Sequence, residues 1–408
     1  MIVSRSLALM TLVLAAVPAP AQAPKVSGLV QIWYTQMLDN NLRLNSAASS
    51  YYNLRGEFKE NGFNVRRTEL KFAGKIQDGL DYEVMIDPSI NTSTSNPTIL
   101  QDAVIHYKHD DLELKLGQFK TLQTYEGNIS SGELLFVERS MAARTLGDKR
   151  DRGLVAAYGF GDPKGFAGKL AVGVFNGMVD AVAGKAGDAN AQKDFVARLE
   201  FSIDTRQKFG VYTLQGGTDQ SDKGGTPTTA LAAKPWAVNS PSAADILANK
   251  DKTTNLGAFY VYQDATWHCS GEVITGLLGR RFPTVAVGGG TASREHLDQK
   301  FLGLTLTAGF TTGHHAFRLR YDAMNYNQGN DWYTPGNPYT SAGAEYSPKY
   351  TETTAGYTYA FLPETLKAAN LKLNYIVRSS NFLKPRPGSG QTSEQGGNTL
   401  VAAFQIAF

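Results

Sequence analysis

The sequence predicts an all-β fold, namely a transmembrane antiparallel β-barrel of about 16 strands. Three observations support this prediction: an apolar segment near the amino terminus, strands that alternate apolar and polar residues, and connections that alternate between short and long. The net charge of the 408 residues is +3, which is too small to indicate a class of partner by itself. Any preference for an anion or a cation must then come from local placement of charge.

The first 23 residues have the features of an export signal. Arg5 gives a positive start, residues 7–17 are apolar, and Ala21-Gln22-Ala23 has the small-x-small pattern of a cleavage site. The alternative is an uncleaved anchor, but the apolar segment is shorter than the ~20 residues of a membrane helix. We therefore expect a signal peptide over 1–23 and a barrel domain over 24–408, in the outer membrane of a Gram-negative-type bacterium.

Sixteen segments have the pattern of strands. They span 25–37, 62–76, 80–89, 100–110, 112–120, 152–161, 166–178, 193–204, 208–218, 254–264, 266–280, 299–311, 315–326, 348–361, 367–380 and 398–408. Short turns such as 77–79 alternate with long links such as 38–61, and this two-sided asymmetry is typical of outer-membrane barrels. A soluble sandwich does not need it.

The alternation within strands indicates one apolar and one charged face. In the strand over 315–326, Phe317, Leu319 and Tyr321 alternate with Arg318 and Arg320. A basic residue on a lipid-facing surface costs about 2–4 kcal/mol near the bilayer midplane, so the charged face must line water. A soluble sheet with one buried face fits any single strand equally well, but the export signal and the loop asymmetry favour the barrel.

The last predicted strand keeps its alternation to the final residue, Phe408. Leu400, Phe404 and Ile406 share a side with Phe408, and Val401 lies on the other side. Because lipid tolerates no unpaired sheet edge, we expect this strand to pair with the first strand and close the barrel.

The link over 121–151 differs from the other long links. Its centre contains four consecutive apolar residues, 134–137, which must pack against something. A barrel of this size leaves an aqueous channel, whose wall is the available surface. We therefore expect this third long loop to fold into the lumen and to form a constriction.

Four motifs, taken together, resemble those of the phosphate-selective porin family, porins O and P. They are FNVRRTELKFAGKI, GQFKT, LLFVERSMAARTLG and KRDRGL, which follow one another in the family's order and spacing. The resemblance implies a trimeric 16-stranded barrel with the third long loop as the constriction. It also implies passage of anions such as phosphate, guided by lumen arginines and constriction lysines. The terminal Phe408 is similar to the signal by which outer-membrane porins are recognised for insertion.

Two groups of basic residues are candidates for contact with anions, because ammonium and guanidinium groups both bind phosphate. Around the predicted constriction they are Lys120, Arg139, Arg144, Lys149, Arg150 and Arg152. On the lumen wall they are Arg66, Arg67, Lys71, Lys115, Arg198, Arg318, Arg320 and Arg378. The alternative for each is a salt bridge with a wall carboxylate, such as Glu69 two residues after Arg67.

Features of an enzyme are absent from the sequence. Cys269 is the only cysteine, the six histidines lack strong metal-ligand spacing, and no G-x-S-x-G, P-loop or H-E-x-x-H motif occurs. We therefore expect no catalytic residues, no metal and no cofactor.

The sequence thus favours a passive channel that prefers anions, phosphate or related oxyanions. The expected partners are these permeant anions, outer-membrane lipid and lipopolysaccharide, the barrel assembly machinery and further copies of the chain in a homotrimer, with no nucleic acid. The alternatives are a general non-selective porin and a non-conducting surface receptor or adhesin, for which the long loops 219–253 and 327–347 are the reason.

Overall fold

A computed structural model describes residues 23–38, 61–89, 99–177, 193–217, 252–278, 285–287, 290–292, 299–326, 328, 349–378 and 398–408. The predicted signal peptide, apart from its last residue, lies outside these ranges, so its prediction stays untested. The long loops predicted over 219–253 and 327–347 also lie outside them, except for residues 252, 253 and 328.

Sixteen strands of the described residues form one closed antiparallel barrel, which confirms the predicted fold class. They are β1 Lys25–Met37, β2 Gly62–Gln77, β3 Leu80–Ile86, β4 Leu100–His109, β5 Leu112–Lys120, β6 Arg150–Gly161, β7 Ala167–Phe175, β8 Asp194–Ser202, β9 Gln207–Gly217, β10 Lys252–Gln263, β11 Trp267–Leu278, β14 Gln299–Thr312, β15 His315–Asn325, β16 Lys349–Ala360, β17 Ala369–Arg378 and β18 Thr399–Ala407. A separate hairpin, β12 Val285–Val287 with β13 Gly290–Ala292, was not predicted.

The barrel closes between β1 and β18, as the sequence predicts. Their register runs from Leu29 opposite Ala407 to Met37 opposite Thr399. Beyond the strand end, the amide of Gly28 donates to the carbonyl of Phe408 at 2.8 Å, and the amide of Phe408 donates back at 3.1 Å. A Cβ on Gly28 would lie 2.5 Å from the Phe408 ring, so a side chain at this position would displace that ring.

The two faces of the barrel differ as the alternation predicts. On β15, Phe317 and Leu319 expose about half of their surface on the outside, at 51% and 54%, while Arg318 and Arg320 are buried on the inside. Exposed leucine, valine and phenylalanine side chains on the other strands continue this apolar outer surface, which suits contact with lipid. Among the described residues, no helix is both long and apolar enough to cross a membrane.

The loop over 121–149 folds into the lumen, which confirms the predicted inward loop. It contains a short helix α1 Tyr125–Asn128, a 3-10 turn Ser131–Glu133 and a π-helical turn Ala143–Gly147. Its apolar side chains Val137 and Met141 are buried in one cluster with side chains from β1, β9–β11 and β14–β18. An apolar core therefore fills the part of the lumen between the loop and these strands.

Candidate functional site

The inward loop is fixed to the barrel by hydrogen bonds on two sides of the lumen. Lys372 on β17 donates to the carbonyl of Leu134 at 2.6 Å. Arg198 on β8 donates to the carbonyl of Thr124 at 2.9 Å. Because a buried carbonyl without a donor is costly, these bonds favour the docked position of the loop over a displaced one.

A β-bulge on β2 directs two consecutive arginines to one carboxylate of the loop. The β1–β2 register passes from Arg67 to Val65 in one step, so Arg66 is the extra residue. Arg66 Nη2 lies 2.7 Å from Glu138 Oε2, and Arg67 Nη2 lies 3.0 Å from the same oxygen. The arginine pair of the second strand and the glutamate of the loop motif are therefore partners in one buried ion cluster.

Glu138 stays ionised inside this cluster. Burial raises the pKa of its carboxyl, but the charges of Arg67, Arg66 and Arg139 outweigh burial and place the pKa well below the usual range. Arg66 also lies over the Trp33 ring, 5.1 Å from its centroid. Trp33 is fully buried beneath this arginine.

Arg320 on β15 makes a second connection to the loop. Its guanidinium donates to the carbonyl of Glu138 at 2.9 Å and lies 2.8 Å from the carboxylate of Asp322. The same group lies over the ring of Phe136, 4.5 Å from its centroid. Arg320 is thus buried under the loop, where its donors serve the loop and wall carboxylates.

Glu352 on β16 joins two further predicted arginines. Arg144 from the loop and Arg378 from β17 each approach its carboxylate to 3.2 Å. Both arginine side chains are almost completely buried. These two ion pairs connect the π-helical turn of the loop to β16 and β17, across the lumen from β2–β8.

Arg139 and Lys120 stabilise the loop internally. Arg139 is 1% exposed, donates to the carbonyl of Ile129 at 2.8 Å and pairs with Asp148 at 3.0 Å. Lys120 donates to the carbonyls of Gly127 and Ile129 and pairs with Asp148 at 3.2 Å. The guanidinium groups of Arg139 and Arg144 are buried and engaged by the protein, and their contact with permeant anions stays a prediction.

The carboxyl of Asp148 keeps its charge between these two basic residues. Burial raises its pKa, but Arg139, Lys120 and Arg150 outweigh burial and lower the pKa to about 2.

The remaining predicted constriction residues lie where β6 begins. Arg150 pairs with Asp102 on β4 at 2.9 Å and lines the open lumen. Lys149 and Arg152 are half-buried, and both have interaction partners. The backbone amide of Arg152 donates to the carboxylate of Asp151.

An open cavity of about 480 Å³ remains between the loop and the wall of β2–β8. The cavity is lined by charged residues of both signs. The basic residues are Lys71, Lys115, Lys120, Arg150, Lys169 and Arg198, and the acidic residues are Glu69, Glu83, Asp102, Glu113 and Glu200. We call the part of β2–β8 that lines this cavity the open wall.

Most cations of the open wall are paired with a carboxylate. Lys71 lies 2.8 Å from Glu83, and Lys169 lies 2.6 Å from Glu113. Arg198 lies 2.7 Å from the carboxylate of Glu200 on the same strand. Lys115 differs, because no carboxylate lies within 4 Å of it among the residues that the structure describes.

Arg318 donates hydrogen bonds to the barrel wall and not to the loop. Its guanidinium donates to the carbonyls of Phe310 and Phe317 and to the hydroxyl of Thr311. Of the predicted basic wall, Arg66 and Arg67 therefore meet the loop at Glu138, Arg318 braces a hairpin, and Lys71 and Lys115 border the open cavity.

Comparison with known proteins places the chain among outer-membrane channels. Residues 41–381 match the family model of phosphate-selective porin O and P. The outer membrane channel DcaP of Acinetobacter baumannii has a TM-score of 0.56 at 13% sequence identity, covering 97% of this chain and 100% of that chain. Outer-membrane expressed OmpT of Vibrio cholerae has a TM-score of 0.51 at 10% identity, covering 96% and 100%. No curated protein matches the chain. At these identities, the two structures show the shared fold alone.

Proposed function

Because the chain belongs to the phosphate-selective porin O and P family and is an outer-membrane porin channel, we propose that it conducts small anions in preference to cations. Phosphate and related oxyanions are among the solutes that we expect it to pass. The observation that carries this proposal is Lys115, a cation on the open wall with no carboxylate within 4 Å among the described residues. Its charge is the one on that wall least neutralised by a neighbour.

This charge pattern predicts a modest preference for anions over cations. Ion pairs such as Lys71–Glu83 contribute little net potential at a distance, whereas a single unpaired cation in a narrow passage raises the local concentration of anions. Salt screens exposed charges beyond about 10 Å at 0.1 M, so the preference should weaken as ionic strength rises.

Tight phosphate binding needs several donors directed at one point. Arg139 and Arg320 could supply such forks, but both are buried by their contacts with the loop. Arg150 and Arg198 on the open wall are paired with Asp102 and Glu200. We therefore expect phosphate to pass with weak block of the current.

The reversal potential of the purified protein in a planar bilayer under a KCl gradient tests this proposal. The wild-type channel should favour chloride, and Lys115→Gln should move the potential towards zero. Lys164→Gln removes the same charge from an exposed turn outside the open wall and should leave the potential unchanged. A wild-type potential that favours potassium, or a Lys115→Gln potential equal to that of wild type, contradicts the proposal.

A general non-selective porin is the second candidate, and the ion pairs on the open wall favour it. A reversal potential near zero for wild type would select it. A receptor or adhesin without conductance would give no current from folded protein, and the open cavity beside the loop argues against that function.

Assembly is also part of the proposal. OmpT of Vibrio cholerae has been solved in a trimer form, and we propose a homotrimer for this chain, embedded in outer-membrane lipid and lipopolysaccharide. The exposed Phe408 ring at the end of the closing strand suits recognition by the barrel assembly machinery.

A further inference from the structure

His106 and Lys115 occupy the point where two cavities meet. One is the open cavity beside the loop, and the other is a cavity of about 560 Å³ towards the short turns. Both residues line both cavities, as do Glu83 and Glu113. These two carboxylates are paired with Lys71 and Lys169, whereas no carboxylate pairs with Lys115 among the described residues. A solute that passes from one cavity to the other must therefore move past them.

The two side chains lie next to each other across the sheet. His106 on β4 is the register partner of Lys115 on β5, and the alternation of β4 places His106 on the same inner face as Asp102 and Val104. Directly opposed residues of an antiparallel pair have Cβ atoms about 4.5–5.5 Å apart, which lets two side chains contact one small ligand.

We propose that His106 and Lys115 form an oxyanion subsite that strengthens when the imidazole is protonated. The inference rests on the proposed anion preference, because Lys115 supplies its permanent charge. A neutral imidazole offers one N–H donor, whereas the protonated ring offers two donors and a positive charge. Acidification then turns a single-cation contact into a pair of cations that can share one oxyanion.

The charged groups that face His106 come from three neighbouring strands. Asp81 and Glu83 on β3 are acidic, and Lys115 on β5 and Lys71 on β2 are basic. Glu83 is itself paired with Lys71 at 2.8 Å. An ordinary imidazole titrates near pH 6.5.

The ligand class is a small oxyanion. Both cavities bring it past the ammonium group of Lys115 and the imidazole of His106. Sulfate is the appropriate probe, because it keeps its double charge between about pH 8 and about pH 5.5, whereas phosphate changes charge in that interval.

The experiment measures the reversal potential and the block by sulfate at about pH 8 and about pH 5.5 in wild type, His106→Gln and His109→Gln. His109 is an exposed histidine at the end of β4 that borders neither cavity, so it controls for the loss of an imidazole. We expect the anion preference of wild type and His109→Gln to rise by about twofold on acidification, with stronger sulfate block. His106→Gln should show neither change.

An equal acid response in His106→Gln, or no response in wild type, overturns the subsite. A potential that favours potassium at about pH 8, where the imidazole is neutral, instead contradicts the proposed function. Lys115→Gln distinguishes a subsite from a general surface charge. It should lose most of the sulfate block at acidic pH, and an unchanged block would show that His106 does not act with Lys115.

Discussion

The two sides of the lumen use positive charge differently. Behind the loop, Arg320 and Arg378 are at most 3% exposed and lie against carboxylates. On the open wall, Lys71 and Lys169 keep about two fifths of their side chains exposed, at 39% and 44%. Arg320 and Arg378 therefore stabilise the position of the loop, and Lys71 and Lys169 face the solute.

The chemistry of the two side chains explains this division. The planar guanidinium fork can satisfy a carboxylate and a backbone carbonyl together, as Arg320 does with Asp322 and Glu138. An ammonium group on a flexible chain is strongly hydrated and is better suited to an aqueous wall. A count of basic residues therefore overstates the charge that a permeant ion meets.

The largest expected effect is that of Glu138→Gln, which removes the acid shared by Arg66 and Arg67. Removing one partner of a buried ion pair costs about 3–5 kcal/mol, and the docked position of the loop should lose stability on that scale. We expect a larger single-channel conductance and more open-channel noise, because the loop forms one side of the open cavity.

Glu133→Gln is the matched control for this variant. Glu133 lies on the same loop but pairs with Lys367 at the surface, where such a pair contributes at most about 1 kcal/mol. Its conductance should equal that of wild type. If Glu138→Gln also conducts like wild type, the loop is held mainly by its carbonyl contacts and the comparison of the two sides is wrong.

A smaller effect is expected from Arg320→Met. Removal of the guanidinium should increase open-channel noise, because the carbonyl of Glu138 loses its donor and Asp322 loses its nearest cation. The anion preference should stay unchanged, since Arg320 is buried. Single-channel recording and the reversal potential measure the two properties separately.

Arg318→Met provides the control two residues away on the same inner face. Arg318 donates only to its own hairpin among the described contacts, so its loss should leave the noise at the wild-type level. A reduced chloride preference in Arg320→Met would show that this arginine guides anions after all.

The alternation of apolar and polar residues made the barrel predictable from the sequence, because each strand needs one apolar side that faces lipid. The faces of Phe317 and Arg318 and the closure near Phe408 follow from that rule. The start of β6 at Arg150, two residues before the prediction, reflects a pairing with Lys120 that no local pattern reveals.

The roles of the arginines could not be predicted in the same way. Glu138 adjoins Arg139 in sequence, which suggests a local pair, yet its closest cations come from β2, 71 and 72 residues away. The bulge that directs both Arg66 and Arg67 inward breaks the alternation on which the prediction depends. Glu126 and Glu352 were missed as partners of Arg320 and Arg144, since only the folded loop brings each acid to its arginine.

The smallest expected effect is a pH dependence of the loop carried by Asp148. Burial raises its pKa and the neighbouring cations, Arg139 first, lower it to about 2, below the usual value of about 3.9. A lowered pKa means that this carboxylate stabilises the docked loop fully above about pH 4, and that the contribution disappears as the pH falls towards 2. Open-channel noise should therefore stay constant down to about pH 4 and increase below it.

Asp148→Asn should show the increased noise already at neutral pH, whereas Asp162→Asn, at an exposed turn, should behave like wild type. Noise in Asp148→Asn that matches wild type at neutral pH would show that Arg139 and Lys120 hold the loop through its carbonyls alone.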